Sequence, residues 1–414
     1  PEALSSLIMY SATKAIREIT GDPKAMPDPE TWEKVRYSGK FHDTHLQNLS
    51  MRYAILNTMS HEAFQMQQDI SGYDSILHTW PIIDGYPWNL GDFGHPVEFH
   101  HTISGYDQVV IQLANRATEM GAEIRLNTRV TNITDKGPDG WPTGEFKVET
   151  TSAYGPATIT AERLIMAAPL RSIEILNHDN FFWAPDSDEE ALFKTVTPIP
   201  LFKLALCYDE PWWQRLPPVE VKGEGELRIT KGKSLTDLPV RQCYYWWTDE
   251  DTGRSVILIY DDGVDQKYWA GLRNRAAERY PFNKEAAGGA SETGEWEQHR
   301  APKQMAQEVH RQLLEMHGLT GDDTVPAPYA SAYMDWGEDP YGGGANFWHV
   351  GADSKKTATD IVRPFDKELY VCGECWSHDQ GWVEGALKTA EDMLQNHFGL
   401  DAPDWYDPKV PTHE

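Results

Sequence analysis

Apolar residues recur at Leu4, Ile8, Ala12, Ala15 and Ile19, a helical spacing that stops at Gly21 and Pro23. Helical periodicity continues through Trp32 and from Leu49 to Met66. Gly72, Pro81, Gly85, Pro87 and Gly91 then interrupt it, and this run predicts an irregular connector. Val109, Leu113 and Ala117 mark an amphipathic helix that leads through Gly121 into expected strands at Ile124–Leu126 and near Val130. Phe146 and Val148 alternate with polar neighbours, Gly155-Pro156 reads as a turn, and Ile159 begins the returning strand. Leu164–Met166 is a further short strand.

A second strand-rich part follows, with its clearest strands at Leu201–Tyr208 and Ser255–Tyr260. Met305–Met316 has helical spacing. Near the end, Leu369–Cys372 is an apolar strand, followed by a glycine-containing turn and a helix from about Gly385 to Phe398 that stops at Gly399. Helices and strands therefore alternate in a mixed α/β (α+β) manner. No solenoid repeat interrupts them, and 414 residues are enough for two interleaved domains.

Charge narrows the partners. Lys+Arg total 37 against 64 Asp+Glu, a formal net charge of -27, which repels phosphate backbones and anionic headgroups. Nucleic acid and membrane surfaces are thus poor partners, and no apolar run reaches the roughly 18 to 20 residues that span a bilayer. The chain reads as soluble, cytoplasmic or secreted. The four cysteines are too few for a disulfide framework and leave the compartment open, as do the glycosylation patterns at Asn48 and Asn132.

The most informative segment is Leu369-Tyr-Val-Cys-Gly-Glu374 with Gly381-Trp-Val-Glu-Gly385. It joins a buried strand, a carboxylate, a tight turn and a helix N-terminus whose free N–H groups favour an anion. By itself it is also an ordinary strand-turn-helix. Cys372-Gly-Glu-Cys375 fits a redox pair or half a zinc site as well, but Cys207 and Cys243 supply no second pair. His61, His78, His100 and His101 show no regular ligand spacing, so no metal is expected. Lys203 falls on one face of its strand with Ala205 and Cys207, where an unpaired buried ammonium is costly and wants a specific partner, unless the strand lies at an edge and the lysine reaches solvent.

These segments resemble, in order, the flavin amine oxidase family, and Thr236-Asp-Leu-Pro-Val-Arg241, the Tyr244-Tyr245 pair and the strand ending at Tyr260 resemble its L-amino-acid oxidases. The resemblance implies non-covalent FAD on a Rossmann-like domain interleaved with a substrate-binding domain of mixed sheet plus helices. Residues 1–100 would form the helical part of the substrate domain and 101–195 part of the FAD domain. The substrate-binding sheet would take 196–340, the return to the FAD domain 341–400, and a tail 401–414.

It also implies roles. Val130 would contact the adenine through its backbone, while Gly373, Glu374, Trp382 and Val383 hold the cofactor. Lys203 would position a water at flavin N5, and Tyr260 would donate to the substrate carboxylate. Gly381 and Trp382 would face the reacting carbon and amine. His78, Ala345, Phe347 and Asp379 would line the side-chain pocket.

Two expected parts have no counterpart in the 414 residues: the G-x-G-x-x-G loop that cradles pyrophosphate, and the arginine that pairs with the substrate acid. The expectation is a smaller N-terminal chain carrying both, from a split gene or proteolytic processing, in a hetero-oligomer such as a dimer of two-chain units. The implied reaction takes an L-amino acid, O2 and water to a 2-oxo acid, ammonia and hydrogen peroxide. An amine oxidase or amino-acid 2-monooxygenase of the same family, or a non-catalytic binding protein derived from it, is the alternative. The preferred side chain is left open.

Overall fold

The computed structural model describes residues 2–93, 102, 105–136, 142–176, 183, 187–221, 225–263, 265–275, 278–289, 295–321, 324–338 and 340–403. The chain forms two compact units. One takes Pro1–Pro27, Thr31–Gly85 and Thr197–Gly351; the other takes Asp28–Glu30, Tyr86–Val196 and Ala352–Glu414.

The first unit is built on a five-stranded antiparallel sheet, in the order Gly232–Leu235, Gln242–Thr248, Ser255–Asp261, Phe202–Tyr208 and Ala330–Asp335. Directly opposed residues of an antiparallel ladder share a face. One face therefore carries Leu204, Leu206, Ile257, Ile259, Cys243 and Tyr245, all buried in a core with Met305, Val309 and Leu313 of the Lys303–Met316 helix. The other carries the row Gln242, Tyr260, Lys203 and Met334. Burial alternates residue by residue along Phe202–Tyr208 as the pleat requires.

Helices Glu2–Thr20, Met51–Thr58, His61–Ser71 and Asp74–Thr79 belong to the same unit. The stretch read as helical from Leu49 to Met66 is two helices. Ser50 and Ser60 each cap the following helix by accepting the N–H of the residue three positions on. The expected connector from Gly72 to Gly91 is instead largely helical, as Asp74–Thr79 and Ile82–Phe93, the latter with Pro87 inside it. Packing explains the first glycine there: a Cβ on Gly85 would lie 2.2 Å from Met51 Sδ, so the close approach, not a turn, demands glycine.

The second unit holds a three-stranded antiparallel meander, Arg129–Lys136, Pro142–Ser152 and Gly155–Ala161, and a parallel pair of Leu164–Met166 with Leu369–Val371. Leu369–Val371 is fully buried, whereas Ile165 is 43% exposed. Leu164 N–H donates to Glu368 and Met166 accepts from Cys372, so Leu164 and Met166 serve the ladder. The N–H and C=O of Ile165 point to the opposite edge, where no strand pairs among the described residues.

Ile124–Leu126 is not a strand, contrary to its alternation, because a ladder needs a neighbour and none is described beside it; Leu126 is 79% exposed. The amphipathic helix is present as Asp107–Glu119, yet it has no buried residue, and Val109, Val110 and Leu113 are exposed. The last helix runs Val383–Phe398, two residues earlier than read, and ends on Gly399 in the left-handed region.

Candidate functional site

In the first unit the face of the sheet away from the core brings two of the expected residues together. Tyr260 and Lys203 are direct cross-strand partners. Lys203 Nζ lies 4.8 Å from the centroid of the Tyr260 ring and 5.9 Å from that of Trp336. No carboxylate pairs with this ammonium among the described residues, and burial lowers its pKa. Aromatic faces are what stabilise the charge here.

The Tyr260 phenol is pushed up beyond its ordinary range by burial and by the neighbouring Asp262, Tyr244 and Asp261. It therefore remains a hydrogen-bond donor at neutral pH. Tyr73 meets it edge-on, with ring centroids 5.9 Å apart. Tyr244 Oη donates to Gln242 Oε1 at 2.6 Å, and Gln242 Nε2 donates to the Gly72 carbonyl at 2.7 Å.

The expected pocket residues of this unit lie elsewhere in it. His78 is half-buried, with its Nδ1 3.0 Å from Arg52 Nη1 and its ring edge-on to Phe64. Burial and Arg52 lower its pKa, so it is neutral at neutral pH. Ala345 and Phe347 belong to the buried strand Ala345–Trp348, and the Phe347 ring packs 4.1 Å from that of Trp80.

In the second unit, Gly373 has φ 136, a conformation that favours glycine, and its N–H donates to Thr389 Oγ at 2.9 Å. Glu374 Oε1 accepts the N–H of Gly381 at 2.6 Å, so the carboxylate holds the turn that opens the Val383–Phe398 helix. Trp382 is the N-cap of that helix without a side-chain cap, and Gly381, Trp382 and Val383 are exposed. An open helix N-terminus with its partial positive charge is thus displayed.

Gly385 permits this arrangement, since a Cβ there would lie 2.2 Å from Ser377 Oγ and 2.5 Å from the Asp379 carbonyl. Asp379 is buried with Lys388 Nζ 3.7 Å away, which supplies its charge partner from within the chain. Val130 lies on the Arg129–Lys136 edge strand of the meander, 37% exposed, next to a register shift. These features fit a flavin in part. The free helix terminus suits the anionic reduced ring, and the edge strand leaves backbone for a base, whereas the 414 residues hold no phosphate cradle of the G-x-G-x-x-G kind.

Cys372 and Cys375 are unpaired and buried, with thiols pushed up by burial, and no group of metal-ligating side chains occurs among the described residues. Two clefts lie apart from all these residues: one of about 880 Å³ beside His61, Met66 and Glu315, and one of about 780 Å³ beside Asp188, Lys356 and Arg363. No described helix is long and apolar enough to cross a membrane. Tyr73, Trp336 and Asp262 were not singled out from the sequence as site residues. Tyr73 reaches the site from a position distant along the chain, whereas Asp262 lies two residues beyond Tyr260 with no motif to mark it.

Residues 41–280 and 286–393 match the profile of the flavin containing amine oxidoreductases. Among similar sequences, Aplysianin-A of Aplysia kurodai is 25% identical over 68% of this chain and 49% of its own length. Protein R188 of Acanthamoeba polyphaga mimivirus is 24% identical over 90% of this chain and 65% of its own length. The L-amino acid oxidase Bs29 of Bothriechis schlegelii is 22% identical over 72% of this chain and 49% of its own length. The chain thus spans about half to two thirds of these relatives. A solved structure of a putrescine oxidase, a single mutant from a redesign of its cofactor binding, shares the fold with a TM-score of 0.59 at 14% identity, covering 95% of this chain and 76% of that one.

Proposed function

The chain belongs to the flavin containing amine oxidoreductases, and from that membership we propose that it is the larger part of an FAD-dependent L-amino-acid oxidase. The reaction is oxidative deamination: an L-amino acid, O2 and water become a 2-oxo acid, ammonia and hydrogen peroxide. The observation that carries the reading is the Lys203–Tyr260 pair on the face of the sheet away from the core.

The bound flavin supplies the acceptor for a hydride from the substrate α-carbon. The chain's own residues orient and place charge. Tyr260, kept protonated, donates to the substrate carboxylate. Lys203, whose charge is only partly solvated, holds a water by donating to it. Glu374 fixes the Gly381 turn, and with it the exposed helix terminus at Trp382 and Val383 that favours negative charge. Gly373, Glu374, Trp382, Val383 and Val130 are the cofactor-holding residues of this reading. Resemblance to the L-amino acid oxidase Bs29 of Bothriechis schlegelii favours a carboxylate-bearing substrate over a simple amine.

The phosphate cradle and the arginine for the substrate acid come, in this proposal, from a smaller chain outside these 414 residues, in a hetero-oligomer. Its support is the edge at Ile165, which no strand pairs among the described residues, together with the exposed apolar residues of Ile124–Leu126 and the Asp107–Glu119 helix. Parallel strands are stable in larger sheets covered on both faces, which two short strands do not form alone.

The test is an absorbance spectrum of the natively purified protein beside a denaturing gel, followed by peroxide detection with a panel of L-amino acids. Flavin absorption, a second smaller band and peroxide from L-amino acids support the proposal. Peroxide only from amines without a carboxylate rejects the substrate class, and a colourless protein that takes up no FAD rejects catalysis.

A further inference from the structure

We propose that Asp262, with Arg241 beside it, positions Tyr73 against Tyr260 and so fixes where the Tyr260 hydroxyl meets a substrate carboxylate; this rests on the amino-acid oxidase reading above. Asp262 is 1% exposed and sits two residues beyond Tyr260, just past the end of the Ser255–Asp261 strand. One of its oxygens accepts the Asp74 N–H at 2.9 Å; the other accepts the Ser75 N–H at 3.1 Å and the Ser75 hydroxyl. These are the first residues of the Asp74–Thr79 helix, and Tyr73 is its N-cap position.

The way this helix is capped carries the argument. Two nearby helices are capped locally by Ser50 and Ser60, which needs nothing from elsewhere in the chain. A serine or asparagine at position 73 would do the same here. Instead the cap comes from a carboxylate 188 residues away, and position 73 holds a tyrosine, with no side-chain cap, whose ring lies 5.9 Å from that of Tyr260. The arrangement ties the Tyr73 turn to the strand end that bears Tyr260.

Arg241 locks the same turn from the other side. Its backbone has φ 47, in the left-handed region that a side chain rarely adopts, and it bridges in parallel to Tyr260. Its guanidinium is buried and donates to the Gln68 carbonyl at 2.6 Å and to the Thr236 carbonyl at 3.2 Å, and lies 3.0 Å from an Asp74 carboxylate oxygen. With Asp69 Oδ1 4.0 Å away as well, a buried arginine held by two carboxylates and two carbonyls is fixed in place. Neither Asp262 nor Arg241 is assigned contact with substrate; both act through Tyr73 and Tyr260.

The test uses the flavin-loaded protein and compares the best L-amino-acid substrate with its amide, which lacks the carboxylate. In Asp262→Asn, KM for the acid is expected to rise about tenfold or more while kcat stays within about twofold and the amide is unaffected, the loss corresponding to one hydrogen bond to a charged group. Equal losses for acid and amide, or no change in either, overturn the proposal. Ser75→Ala, which removes one donor and keeps the fold, is the second variant. Its crystal structure is expected to show the Tyr73 and Tyr260 rings further apart than 5.9 Å, and an unchanged separation overturns the clamp. Wild-type protein that oxidises no L-amino acid rejects the functional reading instead, and the ring separation still decides whether the clamp exists.

Discussion

Lys203 and Tyr260 face each other across one antiparallel ladder, with the ammonium 4.8 Å from the centre of the phenol ring. The ladder fixes the pair by register, and the ring offers the ammonium a polarizable surface without neutralising it. A charge kept half-desolvated in this way retains its full capacity to hold water or another small polar ligand.

Replacing Lys203 by methionine keeps the stem and removes the charge. The expected result is a loss of about 10²-fold or more in the rate of flavin reduction, as for a misplaced reacting group, with flavin content unchanged. Because an ammonium without a carboxylate partner costs free energy to bury, thermal stability is expected to hold or rise. Stopped-flow reduction and a melting curve check both, and a variant that reduces its flavin at the wild-type rate excludes the role.

Gly385→Ala places a methyl where Ser377 Oγ and the Asp379 carbonyl already stand, 2.2 and 2.5 Å away. Overpacking of this kind costs about 1–3 kcal/mol. Denaturant unfolding is expected to show that loss, together with weaker flavin retention, since the displaced turn opens the helix that begins at Val383.

Stability depends on pH in two opposed ways. Burial and mutual repulsion raise Asp74 to about 7 and Asp261 to about 8 from 3.8. The folded state then binds more protons than the unfolded chain between about pH 4 and 8, so the stabilisation these groups give at low pH declines across that whole window and is gone above about pH 8. His310 and His317, buried against Tyr208 and Tyr245, have lowered pKa values, so protonating the unfolded chain below 6.5 favours unfolding. The melting temperature is expected to peak on the acid side of pH 6.5, to fall by at least about 2 °C between there and pH 8, and to level off above it. Asp261→Asn is expected to make the fall between about pH 6.5 and 8 shallower, and a wild-type profile that is flat across that range contradicts the assignment.

Ile165→Pro removes an N–H that points away from the Leu369–Val371 ladder and leaves the bonds of Leu164 and Met166 intact. If a second chain adds a strand at this edge, the variant is expected to purify without it and without flavin while the larger chain stays folded by circular dichroism. Retention of a smaller band rejects this edge as the docking line.

The alternation of Phe202–Tyr208 was legible in the sequence, because a period of two is local and puts Lys203 opposite in sense to Leu204. Its pairing with Tyr260 was not, since register joins strands that are distant along the chain. The tie between Asp262 and the start of the Asp74–Thr79 helix was less visible still: the two carry no shared motif, and only the folded chain brings them together. Local signals also misled. Five glycines and prolines from Gly72 to Gly91 read as a connector, yet Ile82–Phe93 is helical and Gly85 sits within it at close approach to Met51. Ile124–Leu126 has a strand's pattern without a strand's neighbour.

The two-faced sheet divides the tolerance of its positions by parity. On Phe202–Tyr208 the even-numbered residues are buried and the odd-numbered ones half-open. A saturation library at even positions would mostly recover the parental residues or lose the protein, while one at 205 and 207 would sample binding properties on an unchanged scaffold around Lys203. The open face of this sheet can therefore drift, or be redesigned, one strand residue in two.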